Sequence, residues 1–509
     1  MSMSGDRHLR PEPSGKLKGL IPGPRTLLVQ SSPSYASTFA GQVLLQLLVN
    51  LLCRQFGVIE EVWLDVPSVP IDTRTFPFPV LQHARLDEQL LSLGRAVSGD
   101  EVRIALGRPD VASAATILLG PDVEPCSESN FTLVTYGEGW NAFCSPVDRS
   151  PEKDSSSLIP FGPLLAACHA AGGVFRYFQR VPCFATQNQS LWTFDLGVWR
   201  GDAAPQDVGI SLLPAYLIGL GAVGAAFALS LALIPDASGC FIGIDPQQTD
   251  ESSKNRLVSM FQDEIGQSKV ALAARLFEGS AIHFYPNQTR WPEYATEPDR
   301  LSPPELRNEE EAFRYMWVIS CVDRNIHRQN IARYLPRHVL SGSTDGLVAQ
   351  ATYCAMEGPC ECLACNHPVP TFSLERFVQE LQGLTPSDRA ARYEAWDLQP
   401  AMQAAIDEYL FDPECGQVAE AELRRLGVEG TTEWSVGFVS AAAGIMLAAL
   451  FLRCCVDGVA TAPNEYPERR LIFLGSQEFS TSRARRKPDC PVCGKSKVRE
   501  RYRQRWKND

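Results

Sequence analysis

Residues 215–245 read AYLIGLGAVGAAFALSLALIPDASGCFIGID. A first apolar run leads into Gly219-Leu220-Gly221-Ala222-Val223-Gly224. An Ala/Leu-rich segment continues to Ile234, and a second apolar run ends on Asp245. This order predicts a strand, a glycine turn, a helix and a second strand with an acid at its carboxyl end. Such a unit is a nucleotide cradle. Glycines let backbone N–H groups approach phosphates, the helix N-terminus favours their charge, and the acid accepts from ribose hydroxyls. The glycine pattern alone serves NAD and FAD as well as ATP. The continuation narrows it: Asn255-Arg256, then Ile265-Gly266-Gln267-Ser268-Lys269.

Working outward, 509 residues imply two or three domains. The formal charge of −12 argues against general nucleic-acid binding. One stretch runs the other way: from Arg483 to Lys507 there are eleven Lys/Arg against Asp489 and Glu500. It reads as a solvated basic tail or as a docking surface for an acidic partner. The opening MSMSGDRHLRPEPSGK has no apolar core and so does not read as a secretory signal. Ala215–Ile234 and Val436–Leu452 are long uncharged runs. One holds the glycine turn and the other is rich in Ala and Gly, so both fit buried α/β elements better than membrane spans. Sixteen cysteines without a signal point to reduced thiols and a cytoplasmic protein.

The domain reading is a disordered lead-in at 1–20, an N-terminal α/β domain at 21–205, an adenylation-type domain at 206–480 and a C-terminal segment at 481–509. Within 21–205, EEVWLDVP, EVRIALG, ATILLG and TLVTYG read as strands. LLVQSSPSYASTFAGQVLLQLLVNLLCRQFG and FGPLLAACHAAGGVFRYF read as small-residue helices. Lacking the glycine turn, this domain is not expected to hold a nucleotide in the same way. Pro286–Glu311 reads as a surface connection, and MWVISCV as a buried strand delivering Asp323 at its carboxyl end. Residues from about 370 to 432 read as a helical insertion or crossover, followed by a long buried helix and a late strand, RRLIFLG.

Two CxxC pairs, Cys362/Cys365 and Cys490/Cys493, have the form of two zinc knuckles. Four thiolate ligands leave no open position, so the site reads as structural. Cys360 is a possible decoy ligand, and a redox CxxC is the rival reading.

These residues, in this order, resemble the ThiF/MoeB and ubiquitin-activating superfamily over roughly Leu217 to Gly494. The matching positions are Gly219/Gly221/Gly224, Asp245, Asn255-Arg256, the Ile265–Lys269 run, Asp323-Arg324-Asn325 with Arg328 and Asn330, and the paired CxxC. Leu257 departs from the family, which usually carries Gln there. The resemblance implies a Rossmann-like ThiF-type fold using ATP, Mg²⁺ and Zn²⁺. Adenylation is attack of a carboxylate on the α-phosphate of ATP, and both partners are anionic, so cations must offset their repulsion. Arg256 suits a planar clamp and Lys269 a point charge. Asp323 suits Mg²⁺, or else a helix N-cap. Asp245 suits the ribose and Asn255 the phosphate or a metal-bound water.

The resemblance further implies a ubiquitin-like protein as substrate, a conjugating-enzyme-like acceptor, and a homodimer or internal pseudo-dimer in which the N-terminal domain is a degenerate adenylation half. A thiol nucleophile is expected beyond the first zinc pair. Cys415, in a turn before a helix, is the candidate, with an unreactive loop cysteine as the alternative. A sulfur-carrier adenylyltransferase and an NAD-dependent oxidoreductase are the competing functions. Membrane and nucleic-acid partners are not expected.

Overall fold

A computed structural model describes residues 20–75, 83–120, 122–123, 129–146, 157–180, 186–193, 209–297, 317–354, 362–367, 374–396, 398–411, 422–423, 426, 436–457, 468–472, 478–482 and 486–506. The chain divides into two compact units. One comprises 1–367 with 435–509, and the other 368–434.

The larger unit holds two sheets. The first has strands β1 (Thr26–Ser31), β2 (Glu61–Asp65), β3 (Arg103–Leu106), β4 (Ala115–Leu119), β5 (Thr132–Glu138), β6 (Asn141–Ser145) and β7 (Gln187–Ser190). The second has β8 (Ala215–Ile218), β9 (Ser238–Ile244), β10 (Ala281–Asn287), β11 (Trp317–Ser320), β12 (Val339–Asp345), β13 (Val348–Cys354), β14 (Glu468–Ile472) and β15 (Glu478–Ser482). The first sheet runs β3-β2-β1-β4-β5-β6-β7 and the second β10-β9-β8-β11-β12-β13-β14-β15. In each, the first five strands are parallel and those beyond are antiparallel. The two sheets therefore share one winding, 3-2-1-4-5 followed by an antiparallel edge, and each is Rossmann-like in its parallel part.

The helices follow from apolar runs of the right length. In the first layer they are α1 (Phe39–Leu52), α2 (Leu86–Ser98) and α3 (Phe161–Phe178). Thr38 caps α1 by accepting from the Gly41 N–H, which satisfies one of the orphan donors of the first turn. The second layer adds α4 (Ala222–Ala232), α5 (Lys269–Arg275), α6 (Trp291–Thr296) and α7 (Asn325–Arg333). The smaller unit contains α8 (Leu374–Gln382), α9 (Pro386–Ala395) and α10 (Pro400–Phe411) around Leu381, Tyr393 and Ile406. The larger unit ends with α11 (Gly437–Asp457) and α12 (Ser496–Arg505).

Helix α11 joins the two layers. It packs on α3 of the first and on α4, β12 and β13 of the second. The Phe438 ring lies 5.4 Å from Phe175, and Phe451 lies 5.8 Å from Phe227 and 5.7 Å from Phe241. Residues 437–456 are long and apolar enough to cross a membrane, yet 83% of that window is buried against protein. Its lack of a polar face is explained by burial on all sides.

Three local expectations change. The run beginning LLVQS is not helical at its start: Thr26–Ser31 is β1, the middle of the five parallel strands, and helix begins only at Pro33, with Ser32 as its N-cap. Its three consecutive apolar residues, Leu27, Leu28 and Val29, read as strand or helix by periodicity alone. Pro286–Glu311 does not begin as a connection, because Pro286 and Asn287 close β10 and α6 follows; residues 298–316 lie outside the described residues. Strands β7 and β12 were hidden by polar composition, QNQS and VLSGSTD.

Candidate nucleotide and metal sites

The glycine turn lies between β8 and α4. Gly219 has φ +88°, a conformation that disfavours side chains, and a Cβ there would lie 2.8 Å from the Cys321 carbonyl carbon. A Cβ on Gly224 would lie 2.0 Å from the Gly219 carbonyl oxygen. Gly221 is the N-cap of α4, and a Cβ there would meet nothing within 4 Å.

Asp245 follows the last residue of β9 and is buried. Its Oδ2 accepts the Leu220 N–H at 2.6 Å and its Oδ1 accepts the Gln247 N–H at 2.8 Å. Burial pushes its carboxyl above the usual range, the two backbone donors and Lys269 oppose that, and Asp323 adds to it. Asp245 thus feels both Lys269 and Asp323 across the turn.

A second layer of structure brings the cations in. Segments 247–250 and 266–269 zip together through Thr249 N–H to Gln267 O (2.8 Å), Gly266 N–H to Thr249 O (3.0 Å) and Lys269 N–H to Gln247 O (3.1 Å). Lys269 is the first residue of α5, and its Nζ donates to Gln247 Oε1 at 2.7 Å. Arg256 is half-buried, with Nη1 donating to Ser252 O at 2.6 Å and Asn255 Oδ1 at 3.2 Å. Asn255 itself is fully buried.

Both cations act on Asp250, which sequence reasoning missed. Burial raises its pKa, but hydrogen bonds from the Ser252 and Ser253 hydroxyls, with Lys269 and Arg256, hold its carboxyl below the usual range. The acid sits in a polar DESS run, and only the fold shows that it is shared by Arg256 and Lys269. Leu257 is buried, as are Val258 and Met260, so this departure faces protein.

Asp323 stands three residues past the end of β11, with its side chain 79% exposed. It does not cap α7: Arg324 holds the N-cap position and makes no side-chain cap bond. The His327 ring lies 3.7 Å from its carboxylate. Arg328 ties this corner together, donating to Asp323 O at 3.1 Å and Asn325 Oδ1 at 2.9 Å.

The four cysteines converge. The sulfurs of Cys362, Cys365, Cys490 and Cys493 all lie within 4.8 Å of one another, and all four residues are buried. Cys362 and Cys490 are 3.7 Å apart, Cys365 and Cys493 3.2 Å. Tetrahedral thiolates on Zn²⁺ stand about 3.8 Å apart. The donor set therefore suits Zn²⁺, and the residues joined are 128 apart in sequence. Cys415 and Cys360 lie outside the described residues.

The fold is α/β of Rossmann type, with a glycine turn bonded to the buried Asp245, a carboxylate on which Lys269 and Asp323 both act, and a separate tetrathiol cluster. The BilD N-terminal domain family matches residues 26–194. The chain is 31% identical over 210 residues to the bacterial E1-like protein BilD of Collimonas sp., covering 39% of this chain and 40% of that one. It is 28% identical over 264 residues to an uncharacterised protein, y4jF, of Sinorhizobium fredii, covering 51% of this chain and 46% of that one. The chain thus spans less than half the length of these two curated relatives. Among solved structures, E. coli MccB is similar at a TM-score of 0.36 and 13% identity over 56% of this chain and 68% of that one. Its complex with ATP is similar at 0.34 and 14%, over 55% and 66%.

Proposed function

We propose that the chain is an ATP-dependent activating enzyme that adenylates the C-terminal carboxylate of a ubiquitin-like protein and then passes the acyl group to a cysteine. The observation that carries this reading is the set Asp245, Asp250, Arg256, Lys269 and Asp323 around one glycine turn. NAD binding explains Gly219 and Asp245 but calls for neither the cations nor Asp323. The similarity to a protein described as E1-like agrees with this choice.

In the proposed reaction the α4 N-terminus, from Gly221 on, binds phosphate oxygens. Asp245 keeps free lone pairs for the ribose. Arg256 and Lys269 offset the repulsion between the incoming carboxylate and the triphosphate and stabilise charge on the α-phosphoryl oxygens. One carboxylate oxygen bonds to the α-phosphorus, the bond from that phosphorus to the bridging oxygen breaks, and pyrophosphate leaves. Asp323 would hold Mg²⁺, which supplies charge neutralisation to the phosphates. A thiolate then attacks the acyl carbon, forming a thioester and releasing AMP.

Cys415 remains the proposed thiol. Burial pushes Cys53, Cys321 and Cys455 up to about 12 and raises Cys144 and Cys168 as well, so none of these is a ready nucleophile. Cys362, Cys365, Cys490 and Cys493 would hold Zn²⁺, pinning the C-terminal segment to the second layer.

The first layer is proposed to be a degenerate adenylation half. Asp122 stands three residues past β4, as Asp323 does past β11. There the Ser32 and Ser34 hydroxyls, after β1, donate to the Asp122 carboxylate at 2.8 and 2.6 Å. An internal carboxylate thus takes the place where the second layer offers its glycine turn. The test of the whole reading is ATP–pyrophosphate exchange by the full chain with candidate ubiquitin-like proteins. Label should enter ATP only when a partner with a free C-terminal carboxylate is present.

A further inference from the structure

We propose that Arg54, from the first layer, is a positioning residue for the nucleotide loop of the second, its guanidinium fork fixing the backbone on both sides of Asn255-Arg256. The proposal rests on the nucleotide reading above and assigns the first layer a task in it.

Arg54 follows the C-cap of α1 and is 1% exposed. Its Nε donates to Asn50 Oδ1 at 2.7 Å, which orients the fork. Nη1 donates to Lys254 O at 2.6 Å and Nη2 to Met260 O at 2.5 Å. Asn50, one turn earlier on the same face, donates to Val258 O at 3.0 Å. Two side chains, one on α1 and one just past its C-cap, thus bind three carbonyls of the segment 254–260. Nearby, the carbonyls at the end of α2 hold Gln262: Ala96 O accepts its N–H at 2.9 Å and Ser98 O its Nε2 at 3.1 Å.

The loop is also closed from the other side. A Cβ on Gly437, at the start of α11, would lie 2.9 Å from Asn255 O and 3.7 Å from Leu51 of α1. The loop therefore runs in a slot between α1 and α11, with Leu257, Val258 and Met260 buried in it. Such a slot shapes a backbone, but apolar packing tolerates small slides. Directional bonds from a planar, buried fork do not.

Burying a guanidinium is costly, and burial pushes that of Arg54 down to about 9. It stays charged at neutral pH. An apolar residue would fill the slot more cheaply, so the charge has a use that packing alone lacks. Arg256 emerges from the fixed segment and bonds Ser252 O, and both it and Lys269 act electrostatically on the Asp250 carboxylate.

The test uses the full chain carrying Arg54→Met or Arg54→Lys, with amide hydrogen exchange and ATP·Mg²⁺ titration on each. The expected result for Arg54→Met is exchange about tenfold faster or more in residues 252–262, with β8 and the four-cysteine segment unchanged, and ATP affinity weakened about tenfold. Arg54→Lys, which supplies a point charge instead of a fork, should fall between Met and wild type. If Arg54→Met does not fold, Arg54→Lys is judged by the same two readings. Wild-type exchange in the loop of a folded variant overturns the proposal, and so does a loosened loop with unaltered ATP affinity. A wild-type chain that fails to bind ATP·Mg²⁺ overturns the nucleotide reading instead, and the exchange reading still decides whether Arg54 clamps the loop.

Discussion

The backbone N–H of Leu220, in the middle of the glycine turn, donates to the carboxylate of Asp245 at 2.6 Å. The turn and the acid of the next strand are therefore one rigid piece, further tied by Gly219 N–H to Ile244 O at 2.9 Å. Asp245→Ala should weaken ATP binding about tenfold or more and lower stability by roughly 1–3 kcal/mol, because a buried N–H loses its acceptor. ATP titration and denaturant unfolding check the two parts separately. Asp245→Asn, which keeps an oxygen for Leu220, should recover more stability than binding.

The charged cluster makes a sharper forecast. Arg256→Ala and Lys269→Ala should each reduce ATP–pyrophosphate exchange by about 10²–10³-fold, the cost of removing one preorganised group from a developing charge. Asp323→Asn should raise the Mg²⁺ concentration needed for half-maximal exchange. Asp250→Asn is the informative control: it frees two cations, so ATP affinity should hold or rise while thermal stability falls.

How much of this was legible beforehand differs by feature. The β8–α4–β9 unit carried its own pattern: alternation of period, glycines where the backbone must turn, and an acid at the strand end. The paired cysteines were nearly as plain, since two CxxC pairs have the spacing of two zinc knuckles. Asp250 was not, because its role depends on segments 247–250 and 266–269 pairing edge to edge. Asn50, inside the apolar helix α1, and Arg54, just past its end, were hidden because a polar residue there carries no sequence signal of the loop it will meet 200 residues later. The common winding of the two sheets was implied only by the resemblance, because β1 read as the start of a helix and the polar β12 lacks apolar alternation.

Acid should weaken the second layer through His338. Its ring stacks on Trp317 at 4.4 Å and bonds the Tyr353 hydroxyl at 2.8 Å. Burial, with Arg337 adding, pushes its pKa down to about 4. The fold favours the neutral ring, so the unfolded chain binds the proton first. Stability from this group is full above the unfolded value near 6.5 and is lost as pH falls toward about 4. The loss is at most about 3 kcal/mol. Melting temperature against pH should show it, and His338→Gln should flatten the slope in that window.

Metal removal should act at a distance in sequence. Chelation of Zn²⁺, or Cys493→Ser, should expose residues 486–506 to proteolysis while the first layer keeps its protection. Loss of the metal without any change in cleavage there would contradict a structural role.

Cys415→Ala should leave ATP–pyrophosphate exchange intact and abolish a reductant-sensitive adduct with the ubiquitin-like partner. An adduct that survives this change assigns the thiol elsewhere.

The central claim is that the glycine turn serves a triphosphate, with Arg256 and Lys269 as its cations. Calorimetric titration of the full chain with ATP·Mg²⁺ and, separately, with NAD⁺ tests it most directly. The account predicts saturable ATP·Mg²⁺ binding that Lys269→Ala weakens at least about tenfold, with NAD⁺ bound far more weakly. Tight NAD⁺ binding with no response to ATP·Mg²⁺ would contradict it.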